Sequence, residues 1–301
     1  MLCTVTDLTD TIRAACARVA EQAKAVRIQP EGIPAYAGEL PLRLVGAPGD
    51  ALPGSREQRA AFWLTLDAIN FGSGWFPTLR KRPGRSGYQT VAAGLRDHGP
   101  WDAFELQQLD AAQIAQALGQ DPEHELMALF AASLRDLGAQ VAQHDGRFEA
   151  VIDECTAVGL VERLADWPCF ADSSTYDGLA VPFLKRAQIA AADVTRAGVA
   201  DFGDLDRLTM FADNLVPHVL RLDGVLRFSD ELESRIESGE LIEHGAPEEV
   251  EIRACALHAV ELIVAQRPGS RAADVDQVLW QRGRDPRYKA RPRHRSRCTA
   301  Y

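Results

Sequence analysis

The chain has 301 residues, 46% of them hydrophobic and 25% charged, enough apolar material to bury a large core and too much for a disordered chain. No apolar run approaches the roughly 18 residues that span a bilayer. The opening MLCTVTDLTDTIRAACARV mixes Asp and Arg where a signal peptide is apolar, so the expectation is a cytoplasmic protein with no membrane contact. The net charge of -10 is uneven, because residues 282–297 carry eight Arg or Lys and one Asp, net +7, leaving -17 elsewhere. An acidic body disfavours nonspecific binding of long nucleic acid, while the basic end is able to meet a phosphate.

Leu8, Ile12, Ala15, Val19 and Val26 recur at helical spacing and predict a first helix over 7–27. Pro30, Pro34, Pro41, Pro48 and Pro53 then predict loop over 28–55, with a short strand at LRLV. A second helix is expected from Arg56 to Asn70, ending in the glycine-rich aromatic turn NFGSGWFP, followed by a loop at RKRPGRSGYQ. Beyond it the chain reads as helices with short connections. Asp110 and Gln113 form a capping box, Pro122 opens a helix through Gln143, and Phe148 to Asp166 supplies another. Pro182 suits the first turn of the helix carrying FLKRAQIAAADV, Ser229 caps ELESRIESG, and Pro247 begins a long helix with the core-like segment ALHAVELIVA. The fold class expected is mainly α, in one domain over 1–301.

Six scattered cysteines without a CxxC pair, and seven histidines without HExxH spacing, point to reduced thiols and to neither metal nor organic cofactor. In NFGSGWFP, Phe71, Trp75 and Phe76 surround two glycines, an arrangement able to stack a flat ring or to plug a core edge. Lys185 and Arg186 stand near a helix start, where cations oppose the helix dipole, with Asp193 two turns beyond Arg186. LDGVLRFSDEL has the composition of a helix-hairpin-helix turn, with Gly224 at the tight position. Most unusual is Asp213, set in the apolar run TMFADNLVPHVL, where a carboxylate either caps a helix or is held for chemistry.

LPLRL, NFGSGWFP, SGYQTVAAGL, VPFLKRAQIAAAD, LTMFADNLVPHVLRLDGVLRFSDEL, GAPEEVEIRACALHAVE and HRSRCTAY, in this order from about residue 40, resemble the queuosine salvage protein family. That resemblance implies hydrolysis of queuosine 5'-phosphate to queuine and ribose 5-phosphate, on an all-helical fold akin to the helix-hairpin-helix DNA glycosylases. It also implies Asp213 and Lys185 as the catalytic-site residues. Asn214 and Ala300 stand where relatives often carry an aromatic. For the base, Phe71 and Trp75 are the stacking candidates and Asp193 or Asp230 the acceptors, with Phe211 in the same substrate-binding set. For the 5'-phosphate the candidates are Lys185, Arg186, His218 and Arg253. The alternative expectation is a noncatalytic helical protein that binds a nucleotide or nucleic acid. At the chain end, HRSRCTAY finishes on Tyr301 and is expected to dock on the body rather than fray, with Arg297 near the site.

Overall fold

The computed structural model describes residues 7–41 and 53–301. Among them the first half of the chain forms α1 (Leu8–Gln22), β1 (Val26–Ile28), α2 (Ile33–Glu39), α3 (Arg56–Ala68), α4 (Gly87–His98), α5 (Ala103–Gln108), α6 (Ala111–Leu118), α7 (Glu125–Ala142), α8 (Phe148–Ile152) and α9 (Ala157–Ala165). The second half forms β2 (Ser173–Tyr176), β3 (Leu179–Pro182), α10 (Lys185–Arg196), α11 (Leu215–Leu222), β4 (Leu226–Phe228), α12 (Asp230–Glu237), α13 (Pro247–Ala265), α14 (Ala272–Arg282) and α15 (Pro286–Lys289). The mainly α expectation therefore holds. No described helix is long and apolar enough to cross a membrane.

Side-chain caps set many of the helix starts. Ser55 with Gln58, Ser86 with Gln89, Asp102 with Glu105 and Asp110 with Gln113 each make a reciprocal capping box, satisfying two otherwise orphaned backbone donors. Ser229 caps α12 and Pro247 opens α13, as the sequence suggested.

Other boundaries differ from the expected ones, for local reasons. The first helix stops at Gln22, because Lys24, Ala25 and Val26 turn their amides toward Glu251 and Val26–Ile28 pairs antiparallel with β4. The LRLV strand lies outside the described residues, and the prolines nearby do not exclude helix, since Pro34 sits in the first turn of α2. The loop at RKRPGRSGYQ ends early, at the Ser86 cap. Pro122 precedes α7 rather than opening it, the cap being the His124 ring. Phe148 to Asp166 is two helices, broken where Glu154 takes φ 61°. Pro182 ends a strand instead of starting a helix, because Asp177 and Gly178, at φ 46° and 81°, form a tight two-residue hairpin turn joining β2 to β3.

The chain divides into two compact units. One holds the described residues of Met1–Ala47 with Asp172–Lys185 and Asp204–Ser296. Its axis is α13, against which α1, α2, β1, α11 and α14 pack. Buried charges on α13 are used structurally: Glu251 Oε2 accepts from the amides of Lys24, Ala25 and Val26 at 3.0, 2.7 and 3.0 Å, and Oε1 accepts from the Tyr176 hydroxyl at 2.8 Å. The carboxylate thus anchors both β1 and the β2–β3 hairpin. The other unit holds the described residues of Pro48–Ala171 with Arg186–Gly203 and Arg297–Tyr301. Its axis is α7, packed by α3, α5 and α6 around Phe130, Leu134 and Leu137.

Candidate active site around Asp213

Asp213 fills the first of the two roles the sequence allowed, that of a helix cap. Its Oδ1 accepts from the amides of Leu215 at 2.7 Å and Val216 at 3.1 Å, which satisfies donors at the start of α11. Oδ2 has no bonding partner among the described residues, and the side chain is only partly buried. One oxygen is fixed and the other is available.

Each neighbour of Asp213 is held by a different distant residue. The Phe211 amide donates to Asp276 of α14 at 3.1 Å, the Ala212 carbonyl accepts from Nε of Arg253 at 2.9 Å, and the Asn214 side chain donates to the His294 carbonyl at 3.2 Å. Such a segment has little freedom left, so its carboxylate is positioned before any ligand arrives.

Arg253 connects this segment to Lys185. Its Nη2 donates to both oxygens of Asp172, at 2.9 and 2.7 Å, and its guanidinium lies 3.9 Å from the ring centre of Phe183. Asp172 in turn accepts from the Lys185 amide at 2.9 Å, and its carbonyl accepts from the amides of Phe183 and Leu184. Leu184 is held at φ 50°, a strained region for a leucine, and that turn sets the start of α10 with Lys185 buried at its first position. Asp172 therefore binds the turn before Lys185, and Arg253 binds Asp172 to the residue before Asp213.

Behind this network lie groups whose charge is tuned by burial. His218 donates from Nε2 to the Tyr288 carbonyl at 2.8 Å, and burial, with Arg221 and Arg293 nearby, pushes its pKa down to about 4. His294 is sealed and lowered to about 3, again mainly by burial. Burial acts to raise Glu249, but the His244 hydrogen bond, the charges of Arg253 and His244, and the Gly245 amide outweigh it and bring it to about 2.

The sequence-selected residues therefore sort into groups. Asp213, Lys185, Phe211, Arg253 and His218 belong to the α13 unit, with the first four joined through Asp172 and Ala212. Asp230 is in that unit too, exposed in the first turn of α12. Phe71, Trp75, Arg186 and Asp193 belong to the α7 unit. There Phe71 is 1% exposed, edge-on to Phe130 and under the Arg186 guanidinium. Trp75 Nε1 donates to Glu125 at 2.7 Å. Arg186 donates to the carbonyls of Ala68, Cys169 and Ala300, and Asp193 pairs with Arg196. The chain end is docked in this unit: Cys298, Ala300 and Tyr301 are buried, and the Tyr301 carbonyl oxygen accepts from the Gly72 amide at 3.0 Å. Arg297 lies over Trp75, 5.8 Å from its ring centre.

Asp172, Asp276, Arg293 and His294 were not singled out from sequence. Asp172 follows an apolar run in CFADSS and Asp276 interrupts VDQVL, the same buried-carboxylate pattern that marked Asp213, so the signal was present for those two. His294 opens HRSRCTAY, the segment expected to dock, but only Arg297 of that segment was expected near the site.

Three relatives agree along the chain. It is 34% identical to the queuosine 5'-phosphate N-glycosylase/hydrolase of Sphaerobacter thermophilus, over 94% of this chain and 95% of that protein. It is 37% identical to the protein of the same name from Dictyostelium discoideum, over 81% of this chain and 79% of that one. With the namesake from Schizosaccharomyces pombe the match is 38% identical over 46% of this chain and 43% of that one. The family model described as queuosine salvage protein matches residues 52–301, which include every residue of the Asp213 network, and the chain belongs to that family.

Proposed function

We propose that this protein hydrolyses the N-glycosidic bond of queuosine 5'-phosphate, releasing queuine and ribose 5-phosphate, with Asp213 as the carboxylate at the sugar and Lys185 as the second catalytic-site residue. The observation that carries the reading is the Asp213 carboxylate itself, pinned through Oδ1 and open at Oδ2. As the bond from C1' to the base nitrogen breaks, its electron pair leaves with the base and positive charge grows on the ribose. Queuine carries carbon where guanine has N7, so protonation at N7 cannot help the base depart. The burden shifts to the ribose side, where a fixed anion stabilises the oxocarbenium-like state without reorganising. Water then bonds to C1' and gives up a proton, and the departing base nitrogen gains one. Arg253 and Asp172 act as positioning residues. Phe211, with its amide held by Asp276, is the proposed aromatic contact in this unit, and Asp230 the proposed acceptor for the base.

The proposal includes a single working domain over 1–301, akin to the helix-hairpin-helix DNA glycosylases, in the cytoplasm and without long nucleic acid as partner. Two features support the fold part. Among the described residues the chain passes between the units at 171/172, 185/186, 203/204 and 296/297, so neither is one contiguous segment. The order α11, a Gly224 turn at φ 81°, then α12 suits the motif, with β4 inserted before α12.

Mixing the protein with queuosine 5'-phosphate and separating the products by mass tests the reaction. Free queuine above the protein-free control is expected, at a rate unchanged by chelator. None, under conditions where a related hydrolase works, contradicts it.

A further inference from the structure

Four cations were candidates for the phosphate, and three are committed elsewhere. Arg186 holds backbone carbonyls, Arg253 holds Asp172 and Ala212, and burial keeps His218 neutral at physiological pH. A fifth cation, Arg293, has a different status. The Asn214 side chain donates to the His294 carbonyl at 3.2 Å, which ties the segment carrying Arg293 to the segment carrying Asp213. Nε of Arg293 is sealed from solvent without a hydrogen bond, and among the described residues its terminal nitrogens have no hydrogen bond or ion pair. Burial works against its charge; the Asp213 carboxylate supports that charge, and the neighbouring Arg295 opposes it.

A guanidinium without a hydrogen-bonded partner next to the reacting sugar is unfavourable twice over. It is partly desolvated, and it repels the positive charge that develops on the ribose. A dianion on the guanidinium removes both penalties, and the fork of N–H donors on Arg suits phosphate oxygens. We infer that Arg293 receives the 5'-phosphate of the substrate and is the residue that makes the enzyme prefer the nucleotide to the nucleoside. This rests on the reading of Asp213 as the carboxylate at the sugar.

Two arms test it. In the first, kcat/KM is measured for queuosine 5'-phosphate and for queuosine with wild type and Arg293→Gln. The ratio of nucleotide to nucleoside is expected to fall on the order of 10- to 100-fold, the range set by a hydrogen-bonded charge. Equal losses on the two substrates, or none on either, overturn the inference. If Arg293→Gln does not fold, Arg293→Lys carries the same comparison: losing the fork lowers the ratio severalfold, and an unchanged ratio overturns it. In the second arm, calorimetry compares ribose 5-phosphate with ribose on the same proteins, without catalysis. Wild type is expected to prefer the phosphate and Arg293→Gln to lose most of that preference. A preference that persists in the variant overturns the assignment even if queuine release by wild type succeeds. Should wild type release no queuine from either substrate, the proposed reaction fails while this arm still decides Arg293.

Discussion

Nη2 of Arg253 donates to both carboxylate oxygens of Asp172, and both side chains are fully sealed from solvent. A buried pair of this kind is weak as a source of stability but expensive to break from one side, because the survivor is left charged and unpaired.

Asp172→Asn is therefore expected to destabilise the protein, by less than the about 3–5 kcal/mol of a fully orphaned buried charge, because Arg253 keeps its ion pair with Glu249 at 3.6 Å. It also loosens the turn before Lys185 and the residue before Asp213, so activity falls together with stability. Denaturant titration alongside queuine release checks this. A midpoint equal to that of wild type would mean the pair does not organise the segment.

The docked chain end rests on Gly72, whose φ of 93° disfavours any side chain and whose added Cβ would sit 2.6 Å from Leu126 Cδ1. Gly72→Ala is expected to lower the melting temperature, as is deletion of Cys298–Tyr301, which removes the carbonyl acceptor of the Gly72 amide and the Ala300 acceptor of Arg186. Phe71→Ala, emptying a site packed by Phe130 and Arg186, should cost about 3–5 kcal/mol. Thermal melts of the three variants decide; unchanged melts would make this segment a dispensable tail.

Acid should destabilise the fold in two stages. His218 and His294 have folded pKa values below their unfolded ones, so the unfolded chain binds more protons as pH falls. Their stability is fully present above about pH 6.5 and is lost as pH falls through their folded values, His218 alone losing about 3 kcal/mol by pH 4. Glu249, also lowered, adds its loss below its ordinary carboxylate range. Melts from pH 8 to pH 3 are expected to fall from the first range onward, with His218→Gln flattening the upper stage. A flat profile down to about pH 4 contradicts the burial of neutral imidazoles.

Much of the helical architecture was legible because caps and apolar spacing are local. Asp110 with Gln113, Ser229 and Pro247 mark starts that need no tertiary partner. The errors came where tertiary pairing overrode the local pattern, as at β1, whose residues continue the periodicity of α1 but pair with β4. The hairpin turn at Asp177–Gly178 carried a readable signal, and Pro182 outweighed it. At the site, Asp213, Lys185 and Arg253 were reachable from the sequence, whereas their connection through Asp172 spans a separation of 81 residues to Arg253 that no local pattern reveals. Arg293 was masked by the arginines around it, since charge density alone suggests solvent.

The most direct measurement is turnover of queuosine 5'-phosphate by Asp213→Asn. Asn keeps the oxygen that caps α11 and removes the charge, so the melting point should stay close to that of wild type. The expected result is queuine release reduced by at least about a hundredfold, a barrier increase near 2.7 kcal/mol. Release within about threefold of wild type, under one kcal/mol of barrier, would contradict the central claim and leave Asp213 as a helix cap alone.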